Sequence, residues 1–232
     1  ITTGTGMGGC VIIDGRVLFG GGQAGELGHV KVAIPERYAA RFASDPFPRC
    51  GCGATQCAET RASLTALIRR VQWACSEDGV AFISADLARR GETLNPETVA
   101  TLRRLITEES PRKAAYLVRT FADDDGDAFC RWLLEEWAIV IGLLFATIAP
   151  VLHPSLMIIG GGMTEVSPPM RDWFLDTVKE AYTATNAQKS FEIREGSCEP
   201  VWSVGQDQGW RGAILMAVRS RANGTPASAD AE

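Results

Sequence analysis

Basic charge is in short supply. The chain has 23 Lys and Arg against 28 Asp and Glu, a formal net charge of −5. Wrapping nucleic-acid phosphates needs a basic surplus, so this segment is not expected to bind DNA or RNA directly. A paired cysteine framework is lacking too. The seven cysteines are odd in number and unevenly spaced, which argues for a reducing compartment, the cytoplasm, rather than a disulfide scaffold. No long membrane-spanning run stands out. The main apolar stretch, 138–152, is shorter than the roughly 20 residues a span needs and contains Pro150. It reads as a buried core helix. Internal repeats are absent. With 46% hydrophobic and 22% charged residues, an intrinsically disordered chain is excluded.

What is present is a mixed α/β pattern. The 232 residues leave room for one large domain or two small ones. The first residue is Ile1, and a Gly-rich, strand-like segment follows at once, so the chain is expected to be a piece of a longer protein. Cys10–Ile13 and Arg16–Phe19 flank Asp14-Gly15, the signature of a tight hairpin. Leu64, Leu67, Ile68, Val71 and Ala74 recur at a helical period. Residues 79–130 read as helical and polar, with Asn95-Pro96-Glu97 as a helix start. Asp123-Asp124-Asp125-Gly126 reads as a solvated loop. A strong helix is predicted over 129–149, stopped by Pro150, then a strand at 156–159, a glycine turn at 160–162 and a helix over 169–185. Short strands at 191–194 and 201–204 and a helix over 209–222 complete the domain, 1–222, ahead of a flexible tail at 223–232. The Asn223-Gly224-Thr225 glycosylation triplet falls in that tail.

The sharpest chemical signal is His29, Cys50, Cys52 and Cys57, spaced His-x20-Cys-x-Cys-x4-Cys. Zinc takes four tetrahedral ligands, and three cysteines with one histidine form a common structural set. The residues alone leave a second reading open: three core thiols and a hydrogen-bonded histidine. The other four cysteines sit singly in apolar stretches and are expected to be buried.

Several motifs together resemble the ROK family (repressor, open reading frame, kinase). They are Gly4-Thr-Gly-Met-Gly-Gly9, Ala24-Gly-Glu-Leu-Gly-His29, Cys50-Gly-Cys-Gly-Ala-Thr-Gln-Cys57-Ala-Glu59, Leu156-Met-Ile-Ile-Gly-Gly-Gly-Met-Thr-Glu165 and Gly205-Gln-Asp-Gln-Gly-Trp-Arg-Gly-Ala213. The resemblance runs from Ile1 to about Ala217. It implies the C-terminal lobe of the actin-like, ribonuclease-H-like ATPase fold, with a zinc-binding loop. It also implies an ATP-dependent kinase of a hexose or N-acylhexosamine. By motif position, Glu26, His29 and Glu59 would contact sugar, and His29, Cys50, Cys52 and Cys57 would hold a structural zinc. Gly4, Thr5 and Gly6, with Gly161 and Gly162, would border the nucleotide, and Mg-ATP would be the co-substrate. A carboxylate suits paired hydroxyls, and a metal-held histidine has a fixed orientation. A homodimer is implied as well.

The sequence departs from the pattern in places. Gln56 stands where the family usually has Gly, which is expected to alter the loop backbone slightly. The stretch 31–49 is longer than usual and is a candidate lid or dimer contact. Neither the Asp-x-Gly-x-Thr phosphate loop nor the Asn-Asp pair that supplies the catalytic base occurs in these residues, and both are expected upstream. No catalytic residue is therefore assigned here. Two alternatives remain: a sugar-sensing repressor whose DNA-binding region lies upstream, and a non-catalytic, zinc-stabilised interaction domain.

Overall fold

A computed structural model of the chain describes residues 1–21, 23–185 and 199–203. All but Ser203 fall in one compact unit, Ile1–Trp202. The expected strand at 191–194, the helix at 209–222, the Gly205–Ala213 motif, Cys198 and the tail lie outside the described residues.

The chain opens with two hairpins. Strands β1 (Thr2–Thr3) and β2 (Met7–Gly8) pair antiparallel around the Gly4–Gly6 turn. Strands β3 (Ile12–Ile13) and β4 (Arg16–Val17) flank Asp14-Gly15, both at positive φ (51° and 72°), as a two-residue hairpin turn requires. The second hairpin is shorter than its apolar runs suggested. Ile12, Ile13, Leu18 and Phe19 are all exposed, so no packed layer extends its pairing.

The first helix, α1 (Glu36–Ala43), follows Pro35 with no side-chain cap, and the next five α-helices begin where polar caps stand. In α2 (Leu64–Ala74), Ser63 accepts from the Ala66 N–H, and in α3 (Glu77–Arg89), Ser76 accepts from Gly79. Helix α4 (Pro96–Arg104) starts at Asn95, as expected, and α5 (Pro111–Asp124) at Ser110. Each has proline in its first turn, where the missing N–H costs nothing. A π-helical turn, Leu105–Glu109, joins them. Helix α6 (Ala128–Leu152) starts at Asp127, which accepts from the Cys130 N–H.

Two expectations change here. Pro150 does not stop α6. It lies close to the C-terminus, so little of the hydrogen-bond ladder is lost, and the His153 N–H still closes on the Ala149 carbonyl at 2.8 Å. The stop is His153 itself, at φ +41°. Only part of the acidic run is a solvated loop: Asp125 and Gly126 lie outside the helix and Asp124 and Asp125 are exposed. Asp123 and Asp124 end α5, and the Asp123 carboxylate accepts from the Ser167 N–H at 2.9 Å and from its hydroxyl, at the start of α7 (Pro168–Thr185).

Strand β5 (Leu156–Gly161) runs parallel to both β1 and β6 (Glu199–Trp202), giving the mixed sheet order β2-β1-β5-β6. Met157 and Ile159 are buried, while Leu156 and Ile158 on the opposite face are exposed. Gly161, at φ +102°, meets β1 so closely that a Cβ there would lie 2.0 Å from the Thr3 carbonyl oxygen. Helix α6 forms the core, buried on most sides against α7, α5 and α2. It is long and apolar enough to cross a membrane, but 78% of its most apolar window is buried inside the protein, the pattern of a core helix. Cys75 and Cys130 are buried as expected, and burial raises both thiols, Cys75 to about 11. Cys10 is exposed, because it lies in the uncovered second hairpin.

Candidate metal centre and adjoining cavity

Three short segments converge on the metal candidates. His29 ends a 3-10 turn, Leu27–His29, Cys50 and Cys52 sit on a tight glycine-bearing loop, and Cys57 precedes a second 3-10 turn, Ala58–Thr60. Backbone bonds fasten these segments to each other. The Ala58 N–H donates to the Val30 carbonyl at 3.0 Å and Val32 N–H to the Gln56 carbonyl at 3.1 Å, with a bridge between Lys31 and Cys57. Cys50 N–H donates to Ala54 at 2.8 Å, which closes the loop. Gln56 takes φ +63°, so the left-handed turn that glycine favours is kept with a side chain in place.

One ligand atom from each of His29, Cys50, Cys52 and Cys57 lies within 4.8 Å of all the others. Cys52 Sγ is 3.7 Å from Cys57 Sγ, and Cys50 Sγ is 3.5 Å from His29 Nδ1. Tetrahedral zinc with ordinary bond lengths puts two sulfurs about 3.8 Å apart, and a sulfur and a nitrogen about 3.5 Å apart. The donor set therefore fits a tetrahedral ion. Burial, followed by the Cys52 thiol, pushes Cys57 up to about 12, and burial also raises Cys50. The Ala54 N–H holds Cys52 below its usual value. Buried thiols of this kind become ligands where a cation compensates their charge.

The carboxylates stand around this cluster. Glu59, on the second 3-10 turn, has Oε1 3.3 Å from the Cys50 thiol that donates to it and 3.6 Å from His29 Nδ1. Its Oε2 accepts from the Met7 N–H at 3.3 Å. Glu26 lies on the other side of the imidazole, its Oε2 3.9 Å from His29 Nε2. Thus Nδ1 faces the thiols and Nε2 faces Glu26. Gly28 makes the arrangement close: a Cβ there would lie 2.3 Å from the Met7 carbonyl oxygen.

Gly4, Thr5 and Gly162 line one cavity of about 300 Å³, together with Leu64, Tyr116 and Arg119. The Gly4–Gly6 turn is docked on the start of α2, where Leu64 N–H donates to the Gly4 carbonyl (2.8 Å) and the Thr65 hydroxyl to the Thr5 carbonyl (2.8 Å). Arg119 donates to the Gly162 carbonyl at 2.9 Å. Gly6 and Gly161 stand apart from the cavity wall. A Cβ on Gly6 would meet Glu59 Oε2 at 3.1 Å, and Gly161 serves the β1–β5 contact. Sequence reasoning missed Met7, whose contribution is a backbone N–H, and Arg119, which no motif marks.

The family model described as ROK family matches residues 1–220. The glucokinase of Halalkalibacterium halodurans is 29% identical over 210 residues, 90% of this chain and 52% of that protein. An N-acetylgalactosamine kinase of a Shewanella species is 30% identical over 164 residues, 70% of this chain and 41% of the relative. The chain thus spans about half the length of these curated relatives. A ROK hexokinase structure from Thermus thermophilus is similar over 96% of this chain and 57% of its own, at 25% identity and a TM-score of 0.55. A ROK family glucokinase from Streptomyces griseus, in complex with glucose and AMPPNP, shares the fold with a TM-score of 0.58 over 87% of this chain and 53% of its own, at 24% identity. The mixed α/β architecture is the actin-like ATPase type that the motifs implied. The chain belongs to the ROK family.

Proposed function

We propose that this chain is the zinc- and sugar-holding part of an ATP-dependent kinase of a hexose or N-acylhexosamine. The observation that carries the reading is the convergence of Glu26 and Glu59 on opposite nitrogens of an imidazole that is grouped with three cysteines and whose Nδ1 lies 3.5 Å from the Cys50 sulfur. Zinc on His29, Cys50, Cys52 and Cys57 would be structural, since four protein ligands complete its shell. It would fix the ring so that Nε2–H presents a donor, and Glu26 and Glu59 present acceptors, to vicinal sugar hydroxyls. The names of the curated relatives, glucokinase and N-acetylgalactosamine kinase, support the substrate class.

The cavity lined by Gly4, Thr5 and Gly162 is the candidate nucleotide edge; Gly6 and Gly161 would act only indirectly, by letting the Gly4–Gly6 turn approach Glu59 and β5 approach β1. Mg-ATP would be the phosphoryl donor. Phosphoryl transfer needs a positioned nucleophile, a base and charge neutralisation. These residues supply positioning, and the base, an Asp by family resemblance, would come from outside this chain. A cytoplasmic homodimer is the expected setting.

The test is a coupled phosphorylation assay on the intact protein, with glucose and the N-acetylhexosamines as acceptors and ATP as donor. Turnover of at least one sugar, lost when Glu59 becomes Gln, supports the reading. No turnover and no sugar binding by calorimetry would favour an interaction domain.

A further inference from the structure

Buried charge gathers behind the metal strap. Arg41, Arg61 and Arg70 retain 7%, 4% and 2% of their exposure, and Glu136, in the middle of apolar α6, retains 2%. Glu136 holds two of these arginines. Arg61 Nη1 donates to its Oε1 at 2.8 Å, and Arg70 Nη2 and Nε donate to its Oε2 at 2.7 and 3.0 Å. Asp45, in the long stretch before Cys50, accepts from Arg69 at 2.6 Å, Arg70 at 3.1 Å and Arg61 at 3.4 Å. The Arg61 guanidinium also lies over the Phe47 ring, 4.7 Å from its centroid.

Stability alone explains this cluster poorly. Desolvating charges costs free energy that well-packed apolar residues of the same volume avoid, so such a pair often adds nothing to stability. Its position says more. Arg61 closes the 3-10 turn that carries Glu59 and begins beside Cys57, its N–H donating to the Ala58 carbonyl at 3.1 Å. The bonds that tie this turn to Val30 and Lys31 are all backbone. Arg61 instead fastens it by a side chain to the most deeply buried helix of the fold. Among the described residues Arg61 Nε and Nη2 have no hydrogen-bond partner, and of the two carboxylates its Nη1 reaches, Glu136 at 2.8 Å is nearer than Asp45 at 3.4 Å.

We propose that Glu136, acting through Arg61, is a positioning residue for the metal strap. It sets the Cys57–Glu59 turn so that the Cys57 sulfur and the Glu59 carboxylate face His29 and Cys50 at metal-binding distance. The proposal rests on the zinc reading above.

The test is zinc affinity, measured by chelator competition on the protein, with melting temperature as the control. Replacing the pair together, Arg61→Met with Glu136→Leu, leaves the buried Arg70 to pair with Asp45 alone, so the melting temperature first establishes that the double variant folds. Zinc affinity should fall by about 10- to 100-fold, the usual effect of losing an outer partner of a metal site. Arg61→Lys keeps a cation in reach of Glu136 and should retain more of the wild-type affinity than the double variant. Wild-type affinity in the folded double variant would overturn the proposal, as would an Arg61→Lys loss equal to that of the double variant. Should the double variant fail to fold, Glu136→Gln, which keeps shape and one acceptor oxygen, reads the same quantity, and unchanged affinity there also overturns it. Wild-type protein that takes up no zinc would refute the metal reading itself, and this proposal with it.

Discussion

Gly28→Ala tests how closely the two walls of the site must approach. The residue is buried in the Leu27–His29 turn, and an ideal Cβ would sit 2.3 Å from the Met7 carbonyl oxygen and 3.1 Å from the Met7 carbonyl carbon and Cβ. These neighbours are mostly backbone, so no flexible side chain can swing away. The added methyl must push β2 off the turn by about 1 Å to restore ordinary van der Waals contact. Overpacking of this kind costs about 1–3 kcal/mol. For a chain of this size each kcal/mol lowers Tm by about 2–4 °C, so a drop of about 2–12 °C is expected. The shift also moves His29 against Glu59, because Met7 N–H is a donor to the Glu59 carboxylate. Zinc affinity should therefore fall by about tenfold or more. Thermal unfolding by circular dichroism, with and without chelator, reads the first effect, and chelator competition reads the second. An alanine variant with wild-type Tm and zinc affinity would refute the close-approach argument.

Three further predictions follow from single contacts. Cys52→Ser removes one sulfur of the tetrahedral set and should abolish stoichiometric zinc and lower Tm, while a chelator that leaves wild-type Tm unmoved would contradict a structural ion. Gln56→Gly relieves a left-handed backbone that costs an ordinary residue about 1–2 kcal/mol. After glycine's greater chain entropy is set against that relief, a gain of about 0.5–1 kcal/mol should appear in denaturant unfolding; destabilisation would show that the Gln56 side chain makes a needed contact. Asp86 tests the electrostatics: burial alone would raise its carboxyl, but the Trp132 indole N–H at 2.7 Å and Arg90 outweigh burial and hold it below its usual value. Such a depressed group stabilises the fold above the unfolded carboxylate pKa, and that contribution is lost as pH falls through the lower folded value. Asp86→Asn should cost about 1–3 kcal/mol at neutral pH, and the gap to wild type should close in strong acid. A gap that is constant with pH would assign the effect to packing.

Local signals carried much of the architecture. Asp14-Gly15 named its turn because few residue pairs tolerate two positive φ values, and the α2 periodicity named its buried face because Leu67, Val71 and Ala74 lie on one side. The His29–cysteine cluster was legible because its side chains are chemically distinctive and three of them are close in sequence. Asp123 was misread because its partner, Ser167, is 44 residues away. Pro150 was misread because a helix near its end loses little by a missing N–H. The Arg61–Glu136 contact was invisible for the same reason as Asp123: it joins residues 75 apart, and charged side chains read from sequence default to the surface. The stretch 31–49 likewise shows its role only in three dimensions. Its helix α1 (Glu36–Ala43) carries Arg41, which donates to Glu135 at 2.7 Å and to the Trp132 carbonyl, so the stretch docks on α6 instead of standing free as a lid.

The central claim is that Glu59, beside a metal-held His29, belongs to a sugar-binding wall. Calorimetric titration of the zinc-loaded intact protein with glucose and the N-acetylhexosamines, wild type against Glu59→Gln, tests it most directly. The account predicts binding of at least one of these sugars, weakened about tenfold or more in the variant, since a hydrogen bond to a charged group contributes about 1.5–3 kcal/mol. Equal sugar affinity in the two proteins, or no binding by either, would contradict it.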